Sequence, residues 1–125
     1  MSNVSKELMG ASSIPLILSI LKNEDSYGFE IMEKIKVLSD DKIIWKDGSL
    51  YPVLRKLEKA ELISSYWKNE QNDGRLRRRR YYQIVDKGNQ MLERHKEEWA
   101  MMQSIFKELW NLQTFSTFRK LWTIG

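Results

Sequence analysis

Five arginines fall within six consecutive positions: Arg75, Arg77, Arg78, Arg79 and Arg80. A guanidinium is a flat, permanently charged fork that matches the oxygens of a phosphate. Five together describe a phosphate-binding surface. They also account for the net charge. The 125-residue chain has 21 Lys and Arg against 17 Asp and Glu, and without the five arginines 16 positive charges face 17 negative ones. The basic character is therefore one local cluster. The ordinary alternative is a solvated charge run, which usually mixes signs. This run has one sign.

Other chemistries find little support. The chain has no cysteine, which excludes disulfides, thiolate catalysis and Cys-based zinc sites. Its one histidine, His95, lies on an apolar helix stripe with no acidic companion at a convincing ligand spacing. There is no Gly-rich phosphate loop and no nucleophile–base pair. The residues predict no enzyme, no metal and no cofactor. No apolar run is long enough to span a membrane and Met1–Met9 has no signal-peptide pattern, so a cytoplasmic protein is expected, without a membrane partner.

A second chemical feature stands at Asp47–Ala60. Leu50, Val53, Leu54 and Leu57 recur at spacings of three and four and predict the buried face of a short helix. Asp47 or Ser49 can cap it, and Ser49 is the favoured cap because it leaves Pro52 near the start. The outer face then carries Ser49, Pro52, Arg55, Lys56 and Lys59, with Tyr51 beside them. A short helix that is small, polar and basic on its outer side fits the major groove of DNA.

The elements that must position these groups follow from the periodicity. Met1–Met9 reads as a loosely held arm. Ser13 is expected to cap a first helix with Pro15 in its first turn and Ile14, Ile17, Leu18 and Leu21 on one stripe. Ser26 is expected to cap a second helix in which Tyr27, Ile31, Ile35 and Leu38 face inward, with Gly28 at a close helix crossing. Ile43–Trp45 reads as a short strand. After the third helix the period changes to two. Ile63–Val85 then predicts a β-hairpin turning at Asn72-Asp73-Gly74, with the arginines on its second limb. Three helices followed by a basic hairpin is the winged helix-turn-helix plan. In it the third helix enters the major groove, and the hairpin, or wing, lies along phosphates or in the minor groove.

Tyr27-Gly28-Phe29-Glu30-Ile31, Gly48–Glu58, Leu62-Ile63 and Arg80-Tyr81-Tyr82 resemble, in this order, the signature blocks of the PadR family of transcriptional regulators, and the resemblance spans about residues 8–110. It implies a homodimeric winged-helix repressor of the subgroup with a single C-terminal dimerisation helix. Several members of that subgroup are relieved by small aromatic or cationic compounds. Two features depart from the family pattern. Val85 stands where a threonine usually caps the last helix, so Asp86 is expected to cap instead. The wing is also longer and richer in arginine.

The last helix is expected from near Asp86 to beyond Leu109. Leu92, His95, Trp99, Met102, Phe106 and Leu109 recur at spacings of 3, 4, 3, 4 and 3, an a/d seam that calls for a second helix. Trp99 paired with its symmetry mate would form a flat apolar slot for a planar aromatic or cationic effector, with Met102 and Met9 lining it. Phe115, Phe118 and Trp122 are expected to dock an apolar tail, Gln113–Gly125, on the dimer. The fold expected is mainly α with a small β-hairpin wing: residues 1–85 form a winged helix-turn-helix domain (wing about 63–85), and 86–125 the dimerisation helix and tail. The function expected is a ligand-responsive repressor that binds a palindromic operator in double-stranded DNA as a homodimer. The residues assigned to DNA are Ser49, Tyr51, Pro52, Arg55, Lys56, Lys59, Arg75, Arg77, Arg78, Arg79 and Arg80. The competing class is a winged protein-interaction module that does not read DNA.

Overall fold

The structure, a computed structural model, describes residues 4–111, the side chain of Asn72 excepted. The elements run α1 (Lys6–Asn23), β1 (Ser26–Tyr27), α2 (Gly28–Leu38), α3 (Asp47–Lys59), β2 (Ile63–Asn72), β3 (Arg75–Ile84) and α4 (Asp86–Trp110). The strands form an antiparallel sheet ordered β1-β3-β2. This is the winged helix-turn-helix arrangement with a long C-terminal helix. The apolar tail expected at Gln113–Gly125 lies outside the described residues.

Three helices and the hairpin enclose one core. Ile17 and Leu18 of α1, Ile31 of α2, and Leu50 and Leu54 of α3 are fully buried, and Leu57, Ile63 and Leu92 nearly so. Each such side chain contributes about 1.5–3 kcal/mol. Val53 is half-buried at the edge of the same cluster, as is Met9. The described residues divide into two compact units, one ending at Leu92 and the other beginning at Glu93.

The helix starts differ from expectation. Ser5, not Ser13, caps α1, accepting a hydrogen bond from the Leu8 N–H at 3.1 Å. Residues 6–9 are thus helical rather than a loose arm. Ser13 lies inside the helix, its hydroxyl donating back to the Gly10 carbonyl at 3.0 Å, and Pro15 is mid-helix. α3 begins at Asp47, with Lys46 at the cap position and no side-chain cap. Ser49 is therefore a first-turn residue, and Pro52 costs the helix one ladder bond. α4 begins at Asp86, as expected, but Val85 holds the cap position: its carbonyl accepts from the Asn89 N–H at 2.9 Å. Asp86 instead places negative charge in the first turn, which favours the helix dipole.

Ser26 is not a cap either. It lies in β1 opposite Tyr82, fully buried, and its hydroxyl donates to Glu30 Oε1 at 2.6 Å. Leu38 does not face inward; it is exposed at the end of α2. There the chain reverses through Asp40 and Asp41, both at positive φ, and the Ser39 hydroxyl accepts the Ile43 N–H at 2.9 Å. That local bond turns the backbone, so Ile43–Trp45 forms no strand, though Trp45 is buried. α3 ends with Glu61 at φ 61°, the Leu62 N–H reaching back to the Leu57 carbonyl at 3.0 Å.

Two glycines let elements approach closely. A Cβ on Gly28 would overlap the Tyr51 hydroxyl and sit 2.6 Å from its Cζ, so α2 meets α3 here, as expected. On Gly88, in the first turn of α4, a Cβ would strike the Leu62 carbonyl oxygen and come within 2.9 Å of Ile84 Cγ1. The obstacle at Gly88 is backbone and cannot yield as a rotamer can. Replacing a helical glycine by alanine normally gains about 1 kcal/mol. Gly10, which has open space around it, is expected to show such a gain as Gly10→Ala. Gly88→Ala is expected to lose about 1–3 kcal/mol through overpacking. Thermal melts of the two variants, moving in opposite directions, check this.

Candidate nucleic-acid interface

Burying Leu50, Leu54 and Leu57 turns the opposite side of α3 outward. Ser49, Pro52, Arg55, Lys56 and Lys59 are all exposed there. Tyr51 is not free in the same way, since its ring is half-buried against Gly28.

The wing is a ten-on-ten ladder from Ile63↔Ile84 to Asn72↔Arg75. Asp73 (φ 52°) and Gly74 (φ 78°) close it, both at positive φ as a type I′ turn requires. Alternation sorts the side chains onto two faces. One face carries Tyr66, Lys68, Glu70, Arg75, Arg77, Arg79 and Tyr81; the other carries Ser65, Trp67, Leu76, Arg78, Arg80 and Tyr82.

The five arginines differ in what they touch. Arg79 is half-buried, its Nε 3.0 Å from Glu70 Oε2 and its guanidinium 4.2 Å over the Tyr27 ring. That contact is ionic rather than a directed hydrogen bond, because Nε has no acceptor in line. Glu70 also accepts from the Tyr81 hydroxyl. Tyr81 packs edge-on to Tyr27 at 5.3 Å and stacks on Tyr66 at 5.8 Å. Tyr66 in turn donates to Asp25 at 2.6 Å, a bond that raises its pKa, since ionisation would break it. Arg80 reaches across to α3, with Nη2 3.0 Å from Glu58 Oε1 and Nε 3.0 Å from Ser65 Oγ. Beneath it Tyr82 is buried in the core, and burial pushes its phenol up. Arg79 and Arg80 are thus tied into the domain. Arg75, Arg77 and Arg78 are exposed towards the turn.

Glu58 and Glu70 are each engaged by arginine, and Asp73 at the turn faces three exposed arginines, Arg75, Arg77 and Arg78. The outward charge of α3 and of the wing tip therefore stays positive. Glu58, Ser65 and Glu70 did not stand out in the sequence as site residues. Strand register was the signal for Glu70, which lies on the arginine-bearing face opposite Arg77.

On α4, Leu92 is buried in the core of its own unit and is unavailable as a seam residue. His95 is half-buried. Trp99, Met102, Phe106 and Leu109 are exposed, as are Met101, Ile105 and Trp110. Phe106 and Trp110 stack at 4.7 Å. Among the described residues no helix is long and apolar enough to cross a membrane.

Comparison with known proteins accords with this geometry. A protein of Lysinibacillus sphaericus, uncharacterized protein X, is 32% identical over 90 residues, covering 72% of this chain and 80% of that one. The transcriptional regulator YqjI of Escherichia coli is 28% identical over 92 residues, of which this chain spans 41% of the length. A solved transcriptional regulator from Clostridium thermocellum superposes with a TM-score of 0.72 at 30% identity, covering 84% of this chain and 96% of that chain. A PadR-like transcriptional regulator from Bacillus cereus does so with 0.73 at 28%, covering 85% and 98%. Residues 17–94 match the transcriptional regulator PadR-like family, and the chain belongs to that family.

Proposed function

We propose that this regulator binds a palindromic operator in double-stranded DNA as a cytoplasmic homodimer, acting as a repressor that responds to a small ligand. The observation that carries the reading is the exposed row Arg55, Lys56 and Lys59 on α3 beside a wing whose Glu70 is already engaged by Arg79 and whose Arg75, Arg77 and Arg78 are exposed. α3 enters the major groove, where Arg55 pairs with guanine or a flanking phosphate, and Ser49 and Pro52 set how closely the helix seats. Arg75 and Arg77 bind phosphates or the minor-groove edge. Arg79 and Arg80 act one step back, holding the wing in place.

This division of labour has a measurable form. Arg75→Ala with Arg77→Ala is expected to weaken every duplex alike and to reduce the slope of log affinity against log salt by about 2, at an unchanged melting temperature. Arg79→Ala is expected to lower the melting temperature, because it leaves Glu70 without its cation among three tyrosines. Filter binding over a salt series with parallel thermal melts separates the two. Absence of duplex binding at low salt would favour a winged interaction module instead.

The dimer reading rests on the exposed stripe Trp99, Met102, Ile105, Phe106 and Leu109 of α4. A stripe of this kind on one helix seeks a second apolar surface. Met102→Glu with Leu109→Glu is expected to give a monomer in sedimentation and to cost operator affinity, since two half-sites about one helical turn apart need linked reading helices. A dimeric double variant would place the interface elsewhere.

The effector reading uses the same surface. Trp99 and its symmetry mate would sandwich a planar aromatic or cationic compound, with Met102 adapting to its outline; Met9 sits half-buried at the core edge of the first unit. Coupling to DNA needs a guest that prefers one spacing of the two helices, because equal affinity for both shifts nothing. Planar dyes are expected to quench tryptophan emission, and Trp99→Ala to abolish most of that binding while the dimer persists. A folded, dimeric Trp99→Ala that binds the same dyes equally well would reject this slot.

A further inference from the structure

Trp67 lies on β2 and is 55% exposed. Its cross-strand partner is Arg80, whose guanidinium is drawn away to Glu58 and Ser65. The indole is met instead by Arg78, whose guanidinium carbon lies 4.8 Å from the ring centroid. This face of the hairpin is also the one through which the wing contacts α3, by way of Glu58. Trp67 and Arg78 therefore lie on the side that the reading helix shares. Arg78 has no carboxylate cross-strand partner; Asn69 stands opposite it.

An exposed arginine samples many rotamers and gives them up on binding, and one already laid on a flat ring has fewer to lose. A cation–π contact draws on the charge of the guanidinium and leaves N–H donors able to bond elsewhere. We propose that Trp67 is a positioning residue for DNA contact: its indole holds the Arg78 guanidinium over the ring, so that its N–H donors meet a backbone phosphate beside the groove that α3 enters. The inference rests on the DNA-binding reading given above. It assigns to a neutral residue a part of the affinity that charge alone would not supply. If the arginine stem merely shields an exposed indole, the pair has no bearing on DNA.

The test is fluorescence anisotropy of a labelled mixed-sequence duplex of about 30 base pairs, long enough for two half-sites one turn apart, titrated with the full chain over a salt series. Trp67→Ala and Arg78→Lys both keep the charge; the first removes the ring and the second removes the planar fork that rests on it. Each is expected to weaken binding about three- to tenfold, the cost of ordering one freed, rotamer-rich side chain on binding. The salt slope should stay at the wild-type value in both. Arg78→Ala should lower that slope by about 1, and adding Trp67→Ala to it should weaken binding no further. Trp67→Phe should retain most of the affinity. Wild-type affinity in Trp67→Ala, or losses that simply add in the double variant, would overturn the proposal while leaving DNA binding intact. If Trp67→Ala does not fold, Arg78→Lys decides: wild-type affinity in that variant overturns the proposal. A wild-type chain that binds no duplex at low salt would remove the DNA reading itself, and this inference with it.

Discussion

Three leucines decide how the surface of this regulator is composed. Leu50, Leu54 and Leu57 are buried to within 1% of complete enclosure, and they lie on a helix of only 13 residues. Removing any one would cost about 2–5 kcal/mol, a large part of the stability of so small a unit. With that face committed, the rotation of α3 about its axis is fixed. Arg55, Lys56 and Lys59 then have no direction to point except outward. Tyr51 lies between the two faces, and its fit against Gly28 sets the depth at which α2 and α3 cross.

The wing depends on a second kind of constraint. A hairpin bearing five closely spaced cations would repel itself unless some were neutralised. Glu70 and Glu58 do this from opposite faces, one within the wing and one from α3. These pairs are only partly shielded from water, so their net stabilisation is modest. Their stronger effect is geometric: Arg80 joins the end of α3 to β3, and Arg79 packs over the Tyr27 ring. The wing leaves the domain as a braced extension, with Arg75, Arg77 and Arg78 exposed towards its turn.

Much of this was legible in the sequence, and the gaps have physical causes. Helix faces, the hairpin, its Asp73-Gly74 turn and the Gly28 crossing follow from periodicity and from backbone conformations that few residues adopt. Helix starts were less legible, because Ser5, Ser13, Ser26 and Ser49 all look alike as caps. Only the fold shows that Ser13 satisfies its hydroxyl within the helix and that Ser26 belongs to a strand. A strand of two residues carries no period at all. The arginines were found as a cluster but not sorted. The partner of Arg80 lies 22 residues away on another element, and that distance is invisible before the chain is folded.

The free outer row of α3 has one more consequence. Ser49, Arg55 and Lys56 support no core contact, so substitutions there should change stability by no more than about 0.5 kcal/mol. Gly28, Tyr51, Glu58 and Arg80 have no such freedom, since each is matched to a neighbour. A lineage built on this scaffold can therefore change the outer face of α3 without first acquiring spare stability. The same core can carry many different outer faces, and divergence among its descendants should gather on one side of a single helix.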